Sequence, residues 1–338
     1  MQHITNSVLL SVLLLPCLLA QGEVEPRSAA RKGGSVWLVH ETTHDMVLEM
    51  QGREITTLQK TARTLHVQVT DVDSAGNLTV ETTIVRVHGR MVMPQNQGEF
   101  EIDSAVESGG DEPLARAMRN RMVAGAGMKF LSKVSPTGEV LELGEGAAAI
   151  VEANKEAEGT LGQLTSHGLK QLVADSLGLL PDKRTAGGAK WSCERVEVHG
   201  RMPTKQKLDL TLATVAPEAF EIEASGTVEL AVDLIKNDKE FASGNAEEVK
   251  RQLESTKVEK GTITRKQKTS REDGFVLQAS SQVVMDLVTT ESQMGEVTTH
   301  MKMDTSIVRT TAEKAVPKPP APAVDAAKPP ADKQKDGK

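Results

Sequence analysis

Long runs of this chain alternate with period two, and that pattern limits its folds more than any other feature. Val297, Thr299, Met301, Met303, Thr305 and Ile307 share one parity, opposite His300, Lys302 and Asp304. Leu65, Val67 and Val69 alternate with His66, Gln68 and Thr70, and Leu208, Leu210 and Leu212 with Asp209 and Thr211. Such alternation marks antiparallel strands with one buried and one wet face. Turn residues separate the runs at 71–77, Ser135-Pro-Thr-Gly138, Glu272-Asp-Gly274 and 291–295. The last third therefore predicts three strands, over about 258–271, 275–290 and 296–311, joined as a meander. Strands of ~15 residues exceed the usual 5–6 and suit a large curved sheet better than a compact sandwich.

Helical periodicity is confined to the middle of the chain. Asp111-Glu-Pro-Leu opens a stretch with Leu114, Met118 and Met122 on one face, and the 111–124 stretch also carries Arg116, Arg119 and Arg121, which read as a solvated charged face. Ala147–Glu158 is Ala-rich, and 161–180 places Leu161, Leu164, Leu169, Leu172, Val173 and Leu177 near helical spacing before Pro181. Asn245-Ala-Glu-Glu248 has capping-box spacing. Strands and helices occur in separate blocks, which predicts an α+β fold, mainly antiparallel β, with long curved sheets in two lobes and a few central helices packed on them. The expected boundaries are a β-rich lobe at 35–143, a helical segment at 144–186 and a second antiparallel lobe at 187–313.

The ends read differently. Val8 to Ala20 is an apolar run too short to span a bilayer, closed by a small residue, which predicts a signal peptide over 1–20 although residues 2–7 hold no Lys or Arg. Leu15-Pro16 before Cys17 lacks the small residue expected ahead of an acylated cysteine. A flexible linker is expected over 21–34. From 314 the chain is rich in Pro, Lys and Ala, with six Lys and three Asp, and predicts a disordered tail. No later segment is apolar enough to cross a membrane as a helix, so the mature chain is expected to be extracytoplasmic, periplasmic or secreted. Cleavage after Ala20 would leave Cys193 as the sole cysteine, without a disulfide; its strand-like surroundings predict a small buried hydrophobe.

Only five Phe, two Trp and no Tyr are present, and the net charge is -7. Both argue against nucleic acid as a partner, since single-strand binders need aromatic platforms and a basic surface. Thirteen Met, among them Met285, Met294, Met301 and Met303, would fill a Phe-poor core or form a pliable apolar groove. Three short motifs recur: GGxxW at Gly33 and Gly187, VxVHGRM at Val85 and Val196, and FEI at Phe100 and Phe220. Their offsets differ, so GGxxW is read as opening each lobe and the others as strand convergence. The Asp71–Asn77 turn, the hairpin from Phe130 through Gly138, the helical middle ending in Leu180-Pro181 and the GxxW start of the second lobe together resemble an uncharacterised family of exported bacterial proteins with a domain of unknown function. The resemblance spans about 35–311 and implies architecture only. At fold level the pattern is also similar to exported carriers of lipids or lipoproteins, in which a curved antiparallel sheet has helices beneath it.

One motif carries sharp chemistry. His40-Glu41-Thr42-Thr43-His44 matches HExxH, which on a helix sets two His on one face to bind zinc while the Glu activates water. Val36, Val39, Thr43, Val47 and Met50 would make a helical stripe. Against that, Ser35-Val-Trp-Leu-Val39 and Thr42-Thr43 favour an extended chain, in which the two His lie about 13 Å apart. A third ligand would have to come from His66, Glu81 or Glu99. The expectation is a strand, with no catalytic, metal or cofactor residue; the alternative is a zinc metallohydrolase with His40 and His44 as ligands and Glu41 as base. His88 and His199 read as surface residues at strand ends, and Asp71, Asp73 and Asn77 as a hairpin turn that lacks the calcium-loop spacing. The function expected is a non-enzymatic scaffold or binding protein for an apolar or lipid-like ligand, a cell-envelope component or a partner protein.

Overall fold

The computed structural model describes residues 23–25, 29–92, 98–106, 123, 125–155, 164–181, 183–199, 202–237, 251, 254–291 and 295–315. The signal segment, most of the 111–124 stretch with its three Arg, the 245–248 capping box, Met294 and the tail beyond 315 lie outside them.

The strands are β1 (Glu23–Val24), β2 (Ser35–Met50), β3 (Arg53–Val72), β4 (Leu78–Val92), β5 (Glu99–Asp103), β6 (Lys129–Val134) and β7 (Val140–Leu143), followed by β8 (Thr185–Ala186), β9 (Lys190–His199), β10 (Met202–Val215), β11 (Ala219–Leu230), β12 (Thr256–Ser270), β13 (Val276–Glu291) and β14 (Gly295–Thr310). The helices are α1 (Ala147–Lys155), α2 (Ser166–Leu177), α3 (Val232–Asn237) and α4 (Ala312–Ala315). The three strands of the C-terminal meander fall within two residues of their expected bounds. Helix α2 starts at Ser166, where the Thr165 hydroxyl accepts the Gly168 N–H and caps the first turn. Helix α3 has no counterpart among the expected helices.

Strands β2 and β3 are joined by Gln51-Gly52, both with positive φ (52° and 74°), the twist that suits a two-residue hairpin. Apart from the short β1–β8 pair, all strands form one antiparallel sheet ordered β7-β6-β4-β3-β2-β14-β13-β12-β11-β10-β9, with β5 added beside β4. The two strand-rich lobes are thus fused edge to edge. The join is β2 against β14, with His40 opposite Ile307 and Trp37–Glu49 running against Thr298–Thr310 of the last strand. At Gly226 an added Cβ would meet the Lys207 carbonyl oxygen at 1.8 Å, so neighbouring strands approach more closely there than any side chain permits.

Each strand buries one face, and the inward parity changes only across bulges such as Val85–Arg86 in β4. The inner face carries two apolar clusters: one around Leu38, Leu65, Val80, Ile84 and Phe130 with Leu169, Val173 and Leu177 of α2, the other around Leu208, Leu210, Ile222, Met285 and Met303. Met285, Met301 and Met303 are buried in that second cluster, as core filling requires. The outer face is wet and bears ion pairs such as Lys205–Glu194, Lys207–Glu229, Lys266–Glu223 and Lys268–Glu221. The recurrent motifs occupy unlike places. Trp37 lies on the outer face against His66, while Trp191 packs with the second inner cluster; the first VxVHGRM lies within β4, and the second runs from β9 toward β10. No common register relates them.

Helix α2 packs against β7 at one end of the strand order and against β9 at the other. Those end strands do not pair with each other. The sheet therefore curls round α2 as an unclosed barrel, and the helix fills the seam where strand pairing stops.

Candidate functional site

HExxH lies wholly within β2, so alternation decides where its side chains go. His40, Thr42 and His44 take the inner parity, while Glu41 faces out and pairs with Lys60 at 2.9 Å. Glu41 is therefore on the wrong side of the sheet to activate a water held between the two His. The candidate third ligands also face outward: His66 stacks on Trp37 with ring centroids 4.6 Å apart, Glu81 pairs with Lys129 and Glu99 with Arg90. Among the described residues no cluster of three or more His, Cys, Asp or Glu is arranged for a metal ion.

What the sheet does assemble is a buried charged belt between the two apolar clusters. Asp175 enters it from α2, one turn beyond Leu172 and on the apolar side of that helix. Arg265 of β12 donates to Asp175 Oδ1 at 2.9 Å, and both side chains are almost fully buried. Arg195 of β9 approaches the same oxygen at 4.0 Å, and His40 Nε2 stands 3.6 Å from Oδ2. Glu197 continues the belt, 3.8 Å from Arg195 and 3.9 Å from Arg265, and accepts from Gln206 Nε2 at 2.8 Å. Burial alone would raise the Asp175 carboxyl, but Arg265, then His40 and Arg195, outweigh it and hold it well below the usual carboxylate range. Burial would lower the Arg265 guanidinium, and Asp175 and Glu197 reverse that shift. Ionised partners in an apolar setting are retained only when each has the other, so the helix and the sheet are electrostatically matched here.

Two residues along β12 a second clamp follows. The Gln267 carboxamide accepts the Leu179 N–H at 2.8 Å and donates to the Leu179 carbonyl at 3.1 Å. That grip seats the end of α2, where Gly178 has φ 76° and a Cβ would lie 2.3 Å from Gln267 Nε2. Glycine is required there both by the backbone angle and by the close approach.

Between α2 and strands β2 and β3 a partly enclosed cavity of about 80 Å³ is lined by His40, His44, Gln59, Thr61, Arg63 and Gln171, with Leu164, Leu172 and Met303 on its apolar side. Burial lowers the Arg63 guanidinium to about 10. The outer face holds an open groove of about 640 Å³ rich in hydroxyl and carboxylate groups, including Thr43, Ser225, Ser280, Glu223 and Asp304. Cys193 is half-buried against the second cluster, and burial pushes its thiol up. His88 is a surface residue paired with Glu101 at 2.9 Å. Asp73 caps its own turn by accepting the N–H groups of Ala75 and Asn77. No helix among the described residues is long and apolar enough to cross a membrane.

The belt has a sequence signature, although it forms no short motif. Arg265 shares the parity of Ile263, and Asp175 the apolar phase of its helix. A charged residue in phase with the core is the readable sign of a buried pair.

No curated protein matches the chain. Among solved structures it is similar to lipovitellin, studied for its lipid-protein interactions, at 8% identity and a TM-score of 0.42, covering 83% of this chain and 25% of that one. The chain thus spans about a quarter of that lipovitellin chain. An outer membrane channel from Pseudomonas putida F1 matches at 5% identity and 0.23, over 84% of this chain and 98% of that one. DynF from the dynemicin biosynthesis pathway of Micromonospora chersina matches at 7% and 0.19, over 88% and 89%. Scores this low do not establish a shared fold. The family model of DUF6263, a family of unknown function, matches residues 75–276, from the turn between β3 and β4 through β12. That is more than half of the sequence and includes both ends of the curled sheet, and on that match the chain belongs to the DUF6263 family.

Proposed function

We propose that the protein is an exported, non-enzymatic binding protein whose curled sheet holds an apolar or lipid-like ligand on its inner face. The observation that carries this reading is the seam: β7 and β9 meet the same helix instead of each other, so the apolar interior is closed by a removable element and not by a strand ladder. Helix α2 presents Leu169, Leu172, Val173 and Leu177 to that interior, and its displacement would uncover a continuous apolar wall. Buried Met residues in the second cluster give that wall side chains that can adapt to an alkyl chain. Export rests on the apolar segment before Ala20.

Native mass spectrometry of the mature chain, purified from an extracytoplasmic fraction, tests the reading. A ligand-sized mass lost on organic extraction is the expected result. A fully ligand-free protein that takes up no lipid from mixed vesicles overturns it. N-terminal sequencing decides export, which fails if the protein retains Met1 and stays in the cytoplasm.

A further inference from the structure

Resting on that binding role, we infer that the cavity between α2 and strands β2 and β3 is a site for an oxyanion, the carboxylate or phosphate that heads an amphiphilic ligand. Its lining carries donors and no carboxylate: Arg63, His40 and His44 face it from the sheet and Gln171 from the helix. His40 is almost wholly buried, its Nδ1 has no hydrogen-bond partner, and its other nitrogen is turned toward Asp175. A buried imidazole nitrogen without a partner is costly, and with its proton on Nδ1 the ring would donate to an oxyanion in the cavity and remove that cost. The first turn of α2 borders the same space through Gly168, so the positive end of the helix dipole adds to the field.

Size agrees with the chemistry. A space of about 80 Å³ holds on the order of five waters, which is room for an oxyanion and a water able to donate to the unpartnered Gln59 Oε1. Leu164, Leu172 and Met303 give the cavity an apolar side, along which the first carbons of a tail would lie.

Calorimetric titration of the full chain with sodium oleate, oleyl alcohol and inorganic phosphate tests the site. Oleate should bind about 10- to 100-fold more tightly than the alcohol, the span of hydrogen bonds to a charged group. Phosphate should compete with it. Arg63→Gln should collapse the difference to less than threefold. Because Arg63→Gln could unfold the protein, Gln171→Leu at the half-exposed helix surface provides a second variant, expected to weaken oleate severalfold and leave the alcohol unchanged. Phosphate binding with neither lipid retained would keep the oxyanion site, with a free anion as its source, and overturn the lipid-binding role. Equal affinity for oleate and alcohol, with no phosphate binding, would overturn the oxyanion site and keep the lipid-binding role. Binding of none of the three overturns both.

Discussion

The two faces of the sheet use the same ionic chemistry in opposite settings. On the outer face Lys266 and Glu223 lie 2.8 Å apart with most of the lysine side chain in water; on the inner face Arg265, the preceding residue, meets Asp175 at 2.9 Å with both side chains below a tenth exposed. The separations are nearly equal, yet the energetic meaning differs. An exposed pair gains ~0–1 kcal/mol because water already solvates both partners. A buried pair stabilises little compared with an apolar pair, but removing one partner strands the other charge, at about 3–5 kcal/mol. Outer pairs give solubility and strand register, whereas the inner pair makes the seating of one helix conditional on one aspartate.

The sharpest break of that comparison is Asp175→Ala, expected to lower stability by about 3–5 kcal/mol in denaturant unfolding. Next is Gly178→Ala, which forces a side chain into a left-handed backbone and against Gln267; about 1–3 kcal/mol is expected, read as a fall in melting temperature. Gln267→Leu leaves the Leu179 N–H and carbonyl without the carboxamide and should cost about 1–3 kcal/mol, seen as faster amide exchange at the end of α2. Lys266→Ala should change stability by less than ~1 kcal/mol, and that small effect should vanish in 1 M salt.

Acid sharpens the same contrast. The Asp175 carboxyl titrates below its unfolded value, so its contribution is complete at neutral pH, fades as pH falls through ~3.9, and is gone below its folded value. Acid unfolding of the wild type should therefore be steeper with pH than that of Asp175→Asn.

Much of the fold is legible in the residues themselves. The alternation at Val297–Ile307 and Leu208–Leu212 marks inner and outer parity correctly, because one buried face per strand leaves no other arrangement. Extended geometry for His40–His44 is legible from its β-branched surroundings, and the structure bears that out. What alternation does not convey is which strand lies beside which. Two lobes read separately along the chain become one sheet because β2 has an edge open to β14, a fact of pairing and not of local propensity. The belt is hidden for a related reason. Arg195, Arg265 and Asp175 sit on three elements, and only the curl of the sheet makes them neighbours.

The β2–β14 join also sets the order in which the molecule can be made. Chain emerging from a ribosome or a translocation pore delivers β2 through β7 first, and each of the pairs β2–β3, β3–β4, β4–β6 and β6–β7 can close between strands already present. Strands β9 through β13 can likewise form a second meander. Until Gly295–Thr310 arrives, β2 and β13 each keep a bare edge, and the two sheets have no ladder between them. Contacts of such long sequence separation close slowly, and exposed strand edges invite pairing with other chains. The two halves of the nascent protein therefore stay unsealed, open to a chaperone that masks strand edges, and become one sheet only when the last strand is delivered.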